Sequence, residues 1–164
     1  MAHSDWTRIF ENKTKILKDG DNWRLEFDES LAPKYPNKGW KMSVRSTCAR
    51  FRCSKCGRVW ASNKAMVVFH MRLSYRQGIV KAKPLHQKCK TCDDGPMEKP
   101  SISSGNIAIL LENLVEQIRK KCYNEDVGRK VRHFRSFDAQ SPHEPAHCEA
   151  CMQGICPRQK WEKY

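Results

Sequence analysis

The sequence predicts an α+β fold: a small antiparallel sheet of the zinc-ribbon type, an N-terminal helix, one longer packed helix and two structural zinc sites. Three observations predict it. Apolar residues alternate with period two in several runs, and they recur at helical spacing in two others. The third observation is a set of Cys-x-x-Cys pairs, at Cys53 and Cys56, Cys89 and Cys92, and Cys148 and Cys151. Repeated pairs with this spacing in a short chain are typical of zinc ligands.

Composition narrows the classes of partner and compartment. Lys and Arg number 31 and Asp and Glu 18 among 164 residues, and the net charge of +13 favours phosphate backbones, anionic membrane surfaces or acidic protein segments. The nine cysteines are an odd count, and the first residues lack a basic segment followed by an apolar one. Both features favour thiolates in a reducing compartment over a disulfide scaffold. Since no window holds about 18 apolar residues, we expect no transmembrane segment in this chain.

Residues 1–47 are predicted to form an arm that packs on the core. Asp5 is a good N-cap, apolar residues follow at helical spacing up to Leu17, and Gly20 ends the run. We expect the aromatic residues of this helix, Trp6 and Phe10, to pack on the domain's own core. Residues 23–27 alternate as a strand does, so the arm is expected to cover one edge of the sheet.

Residues 48–157 are predicted to form the zinc domain, followed by a tail at 158–164. A strand leads into the pair at 53 and 56, a long apolar run covers 66–73, and Gln77-Gly78 is a turn signal. The return strand leads to the pair at 89 and 92, so the hairpin brings the two pairs together in a tetrahedral all-cysteine site. A longer closure that joins 53 and 56 to 148 and 151 is the alternative.

The longer helix follows a loop that ends at Ser103 or Ser104, either of which can cap it. Glu116 and Lys120 are placed to pair on its polar side. Its apolar stripe consists of Ile107, Leu110, Leu111, Leu114, Val115, Ile118 and Cys122.

A second zinc site is predicted near the C-terminus. A His upstream of a Cys pair, with a further Cys downstream, can wrap one ion through three thiolates and one imidazole. His147 competes with His143 but adjoins Cys148, and strain makes neighbours poor co-ligands. The predicted ligands are His143, Cys148, Cys151 and Cys156, with Cys122 as the alternative fourth ligand; Cys48 has no paired partner and is interpreted as a spare thiol.

A basic and aromatic segment precedes this motif. Its cations can contact phosphates while an aromatic ring stacks on bases, which makes RNA the alternative partner. A solvated strand face is the competing interpretation. The residues concerned are Arg129, Lys130, Arg132, Phe134 and Arg135.

Taken together, the Cys-Ser-Lys-Cys knuckle at 53–56, the strand at 66–73 and the segment Pro-His-Glu-Pro-Ala-His-Cys-Glu-Ala-Cys at 142–151 resemble the three-CxxC zinc-finger family, and within it the receptor-transporting proteins. The resemblance implies two Zn²⁺ ions on the ligands named above. It also implies a cytoplasmic domain at the cytosolic face of the endoplasmic reticulum or plasma membrane, which helps odorant, taste and other G-protein-coupled receptors reach the cell surface. Related zygote-arrest proteins bind RNA through a similar domain. The family's C-terminal membrane anchor has no equivalent in these 164 residues, so any membrane role is expected either to be peripheral or to belong to a segment outside them.

No pattern in the chain favours an enzyme. The predicted metal sites are coordinatively closed, and the sequence carries no Ser-His-Asp, paired-carboxylate or phosphate-loop pattern. A redox Cys-x-x-Cys usually stands alone at the start of a helix, whereas these pairs lie among strands and loops. The leading hypothesis is a non-enzymatic zinc-binding adaptor for receptors, and the alternative is an RNA-binding zinc-finger protein.

Overall fold

The fold is taken from a computed structural model, which describes residues 3–17, 21–31, 36–92 and 95–125. The elements are α1 (His3–Lys13), β1 (Asn22–Phe27), β2 (Lys41–Arg52), β3 (Val59–Ser74), β4 (Gln77–Pro84), β5 (Gln87–Lys88), β6 (Met97–Glu98) and α2 (Ser104–Cys122). A short 3-10 helix, Thr14–Ile16, continues α1. The predicted α+β class is confirmed.

The main sheet has the strand order β1-β4-β3-β2, and β5 and β6 form a separate two-stranded ribbon. β2, β3 and β4 form an antiparallel meander, whereas β1 pairs with β4 in parallel. The sheet is therefore mixed, with β1 at one edge, where the arm was expected, and β2 at the other. β2 runs without a break through residue 47, so residues of the predicted arm extend the ladder of the zinc domain.

Both helices pack on one face of the sheet. The apolar run at 66–73 lies within β3, where Val67, Phe69 and Met71 are fully buried in the core. Trp6 and Phe10 of α1 are also fully buried there, which confirms that they pack on the domain's own core. The stripe of α2 completes this core with buried residues from 107 to 118.

A bulge in β3 changes which side of the strand faces the helices. Thr47 pairs with Ala65, but Ala49 pairs with Ser62, so β3 has one residue more than β2 over this stretch. Beyond the bulge Trp60 faces the core, where its ring stacks on Phe51 with centroids 5.4 Å apart. The bulge thus directs an aromatic pair to the end of the hairpin that carries the first cysteine pair.

The turn between β3 and β4 differs from the predicted one. It is formed by Tyr75 and Arg76, with φ of +50° and +64°, and not by Gln77-Gly78. Gly78 lies inside β4, and the ring of Trp23 occupies the space that a side chain at this position would fill. The glycine signal therefore marked a close contact and not the turn.

Two helix predictions also need correction. α1 begins at His3, so Asp5 lies in the first turn, where its charge still favours the helix dipole, and does not cap it. Glu116 pairs with Arg119 at 3.3 Å instead of the predicted Lys120, and Arg119 also pairs with Glu125 at 2.8 Å.

The α2 cap is one of the two predicted serines, since the Ser103 hydroxyl accepts a hydrogen bond from the Asn106 backbone N–H. Within the described residues, no helix is long and apolar enough to cross a membrane.

Candidate metal centre

The first cysteine pair forms the turn of the β2–β3 hairpin. The Cys53 backbone N–H donates to the carbonyl of Arg58 at 2.8 Å, and the Gly57 N–H donates to the carbonyl of Cys53 at 2.9 Å. Gly57 has a φ of +76°, a backbone conformation that glycine adopts without strain. The Cys56 N–H in turn points at the Cys53 sulfur, 3.4 Å away. This tight turn places both sulfur atoms on the same side of the loop.

The second pair lies between the short strands β5 and β6. The Gly95 N–H donates to the carbonyl of Cys92 at 3.3 Å, which closes the turn. A Cβ at Gly95 would come within 3.0 Å of the Cys92 Cβ, so a side chain at Gly95 would push against the cysteine. The ribbon β5–β6 thus holds Cys89 and Cys92 as β2 and β3 hold the first pair.

The four sulfur atoms of the two pairs converge. Those of Cys53, Cys56, Cys89 and Cys92 all lie within 4.8 Å of one another. The distance is 3.8 Å between Cys53 and Cys92 and 3.7 Å between Cys56 and Cys89. A regular tetrahedron with zinc–sulfur bonds of about 2.3 Å requires sulfur atoms about 3.8 Å apart. The cluster therefore fits a zinc ion in both donor type and spacing.

Without a cation, four thiolates this close would repel one another, and the thiol pKa values separate. A hydrogen bond from the Arg58 backbone N–H lowers the pKa of Cys56. Burial acts to raise the pKa of Cys89, but hydrogen bonds from the side chain and backbone of Thr91 outweigh it and lower the pKa to about 6. The hydrogen bond with Cys56 raises the pKa of Cys92 to about 12. A divalent cation would allow all four groups to ionise.

Hydrogen bonds around the cluster tie the two hairpins together, and the sequence analysis missed them. The Glu98 carboxylate on β6 accepts from the Ser54 backbone N–H at 3.1 Å and from the Ser54 hydroxyl at 2.7 Å. The Thr91 hydroxyl lies 3.1 Å from the Cys89 sulfur. Thr91 lies inside the second Cys-x-x-Cys and was visible as a neighbour of the ligands. Glu98 has no local signal, because its partner lies 44 residues away.

A side-chain relay joins the cluster to the aromatic pair behind it. The Trp60 indole N–H donates to the Gln87 side-chain carbonyl at 2.9 Å, and the Gln87 amide donates to the Ser62 hydroxyl at 3.0 Å. Arg58 lies over the Trp60 ring at 5.2 Å from its centroid. Gln87 opens β5, so this relay fixes the second ribbon against β3.

Of the ligands predicted for the second zinc site, the structure describes only Cys122. Cys122 is half-buried at the end of α2, and burial raises the pKa of its thiol. Cys48 is fully buried in β2 and is not part of the sulfur cluster. The remaining predicted ligands, His143, Cys148, Cys151 and Cys156, lie outside the described residues, as do the candidate RNA contacts at 129–135.

Comparisons with known proteins give the same picture of the chain. A family model described as a zinc-binding domain, of the 3CxxC zinc-ribbon type, matches residues 46–154. Receptor-transporting protein 3 of Mus musculus is 34% identical over 155 residues, which are 92% of this chain and 33% of the relative. Receptor-transporting protein 2 of Mus musculus is 33% identical over 158 residues, 94% of this chain and 71% of the relative.

Receptor-transporting protein 1 of Homo sapiens is 32% identical over 158 residues, which are 94% of this chain and 60% of the relative. The chain therefore spans from 33% to 71% of the length of these three relatives. No solved structure matches the chain.

Proposed function

The chain belongs to the receptor-transporting proteins, a family of zinc-binding 3CxxC domains, and from this membership we propose that it is a non-enzymatic adaptor that binds G-protein-coupled receptors. On this proposal it promotes their trafficking to the plasma membrane and their insertion there, from the cytoplasmic side. The observation that carries the proposal is the similarity to receptor-transporting proteins over more than nine tenths of the chain. The whole chain, and not the metal site alone, is what it shares with them.

Zinc has a structural role in this proposal. Cys53, Cys56, Cys89 and Cys92 bind one ion with four thiolates and leave no coordination position for a substrate. The ion joins the turn of the β2–β3 hairpin to the β5–β6 ribbon. Zinc would thereby stabilise the sheet, and a closed site of this kind favours a binding protein over an enzyme.

A second zinc ion belongs to the same proposal. Its ligands are His143, Cys148 and Cys151, with Cys156 or Cys122 as the fourth. Cys122 ends α2, so its use would attach the ion to the longer helix, whereas Cys156 would keep all four ligands within one short segment.

Receptor delivery is tested by co-expressing the full chain with an epitope-tagged G-protein-coupled receptor that reaches the surface poorly on its own. Antibody staining of intact cells measures the receptor at the surface, and staining of permeabilised cells measures the total. We expect the surface fraction to rise at unchanged total expression and the receptor to co-precipitate with the chain. An unchanged surface fraction across a panel of odorant and taste receptors would refute the proposal.

Two variants of the first cysteine turn distinguish the loss of a zinc ligand from other changes in the turn. Cys56→Ser removes a predicted ligand, and Lys55→Ala changes an exposed side chain of the same turn while leaving all four sulfur atoms in place. We expect the first variant to lose delivery together with its zinc and the second to retain both.

A further inference from the structure

Arg45 is a half-buried cation that has no counter-ion among residues 3–17, 21–31, 36–92 and 95–125. It lies on β2 opposite Val67, and therefore on the side of the sheet that faces the helices. Its Nε atom is fully buried and makes no hydrogen bond within the described part of the chain. Burial lowers the pKa of the Arg45 guanidinium, and no carboxylate in the described part of the chain acts against it. Leaving a charge in such a position without a partner costs free energy.

Its neighbours are cations as well. Lys121, in the last turn of α2, donates a hydrogen bond to the Met42 backbone carbonyl of β2. Burial, and then the charges of Arg45, Lys120 and Lys41, lower the pKa of Lys121. Lys41 and Arg45 share one side of β2, since side chains four residues apart on a strand point the same way. The end of α2 and the start of β2 thus form a cationic notch, defined here as Lys41, Arg45 and Lys121.

The same notch borders the outer edge of β2. Among the strands of the described residues, β2 is the last in the main sheet. Its outward-pointing groups are used at two places: the Met42 carbonyl accepts from Lys121, and Arg50 pairs with Ser101 in both directions. Outward groups alternate along a strand, so Val44, Ser46 and Cys48 direct theirs outward between these points. Cys48 makes a contact of its own. At Val44 and Ser46, no bond from a described residue outside the β2–β3 ladder is present.

Geometry decides what an added strand would place beside Arg45. In an antiparallel addition, Val44 and Ser46 would form the hydrogen-bonded pairs, and Arg45 would hold a non-hydrogen-bonded position. Facing Cα atoms at such a position are about 4.5 Å apart, closer than at hydrogen-bonded pairs. A residue at this point of an added strand would meet the guanidinium directly. A Glu or Asp there would supply the missing counter-ion.

We propose that the outer edge of β2 at Val44 and Ser46, between the engaged groups of Met42 and Arg50, binds an extended acidic peptide segment as an additional strand, with one carboxylate paired to Arg45. Inward-pointing charges at a sheet edge ordinarily prevent strands from adding. An acidic segment can still add here, because its carboxylate neutralises the Arg45 charge that would exclude an apolar strand. If the proposed function is right, the segment lies on the cytosolic side of a receptor; this last identification rests on that function, whereas the binding of an acidic strand does not.

The test uses the full chain with zinc and three fluorescein-labelled octapeptides measured by fluorescence anisotropy. The first alternates Glu with Thr and Val, the second has Gln in place of Glu, and the third is the first with N-methylated backbone amides. We expect the Glu peptide to bind, and the Gln peptide to bind at least about ten-fold more weakly because it lacks the charge pair. The N-methylated peptide keeps its charge but cannot donate to the edge, and we expect the same loss.

Two variants with the same change of charge locate the site. Arg45→Gln should weaken binding of the Glu peptide at least about ten-fold. Arg24→Gln removes an exposed cation from β1, at the opposite edge of the sheet, and should leave binding within about two-fold of wild type, as expected of a distant surface charge. Arg45→Glu should bind an octapeptide with Lys in place of Glu. Thermal unfolding should show Arg45→Gln to be at least as stable as wild type, because an unpaired charge has been removed.

The wild-type chain gives an independent structural readout. Hydrogen exchange of the Val44 and Ser46 amides should slow when the Glu peptide is bound. The proposal is overturned if no peptide binds, or if the N-methylated peptide binds as well as its parent. It is also overturned if oligouridylate displaces the peptide without protecting these amides, which would mark the notch as a nucleic-acid contact. Receptor delivery by Arg45→Gln separates the two proposals. If this variant no longer binds the peptide but still delivers receptors, the β2 edge serves partners other than receptors. If the wild-type chain binds the peptide but delivers no receptor, only the adaptor function is refuted.

Discussion

The ring of Trp23 lies directly against Gly78: a Cβ built on the glycine would come within 2.1 Å of the indole Cδ2 atom. The two residues are also register partners in the parallel β1–β4 ladder. Trp23 is buried, and its indole N–H donates to the Tyr123 hydroxyl at 3.0 Å. The close approach therefore fixes β1 against β4 and also positions the residue that follows α2.

Replacing Gly78 with Ala should destabilise the fold. The added methyl group has no space unless Trp23 moves, and overpacking of this kind costs about 1–3 kcal/mol. Urea unfolding of both proteins measures the difference. Gly105→Ala is the matched control, because Gly105 lies in α2 and a Cβ at this position meets nothing within 4 Å. The free energy of unfolding of this variant should equal that of wild type or exceed it by up to about 1 kcal/mol. Equal stability of Gly78→Ala and wild type would contradict the packing described here.

Native mass spectrometry should find two zinc ions per chain, and chelation should unfold the domain because binding energy is also folding energy. Cys89→Ser should lose one ion, since three thiolates hold zinc less tightly than four. Cys48→Ser changes an equally buried thiol outside the cluster and should retain both ions. A wild-type chain with one ion would argue against the second site.

The fourth ligand of the second site can be identified in the same way. Cys156→Ser and Cys122→Ser each remove one candidate, and the variant that loses an ion while the other retains it marks the ligand. Cys122 packs against the core, so its variant should also lose about 1 kcal/mol of stability whichever cysteine binds. If both variants retain two ions, neither thiol completes the site.

Glu98→Ala should accelerate loss of zinc to a chelator without changing the number of ions bound. The carboxylate holds Ser54 in the first cysteine turn from the second ribbon, and outer-shell groups of this kind affect metal affinity about 10–100-fold. Competition with a chromophoric chelator measures the change. Lys99→Ala, next along the chain and exposed, should behave as wild type.

Tyr123→Phe should remove a pH dependence from the alkaline side of the stability curve. Burial, and then the hydrogen bond to Asp21, raise the pKa of Tyr123 to about 12 from its usual value of 10.0. A raised pKa stabilises the folded state fully below about pH 10 and progressively less as the pH rises toward 12. The variant should lose about 1 kcal/mol at neutral pH and show a flatter profile above pH 10. Tyr75→Phe, at a side chain 99% exposed, should change neither.

Sequence patterns predicted the parts of the fold that depend on neighbours along the chain. The α2 stripe follows from helical spacing, Ser103 is one of the two serines expected to cap it, and the buried middle of β3 follows from the continuous apolar run at 66–73. The turn was predicted at the wrong residues because Gly78 makes room for the ring of Trp23, which lies far away in sequence and close in space. A glycine signals close approach and turn formation equally, and only the tertiary contact distinguishes them.

The start of β2 was harder to predict for a different reason. Its inner side carries Lys41, Ser43 and Arg45 where apolar residues would be expected, so the alternation that marks a buried strand is hidden. The bond between Glu98 and Ser54 likewise joins segments that no local pattern relates. Spacing alone was informative for the cysteine pairs, because two-residue spacing is a property of each turn by itself.

The first cysteine turn is also the turn of the longest ladder among the described strands, which pairs residues 41–52 of β2 with residues 59–71 of β3. A slip of one residue along such a ladder would exchange its two faces, and the bulge between residues 47 and 49 makes the correct alignment unique. If a metal ion fixes that turn, zipping of the strands starts from a defined point. The time at which zinc reaches a newly made chain would then set how fast, and how accurately, the sheet assembles.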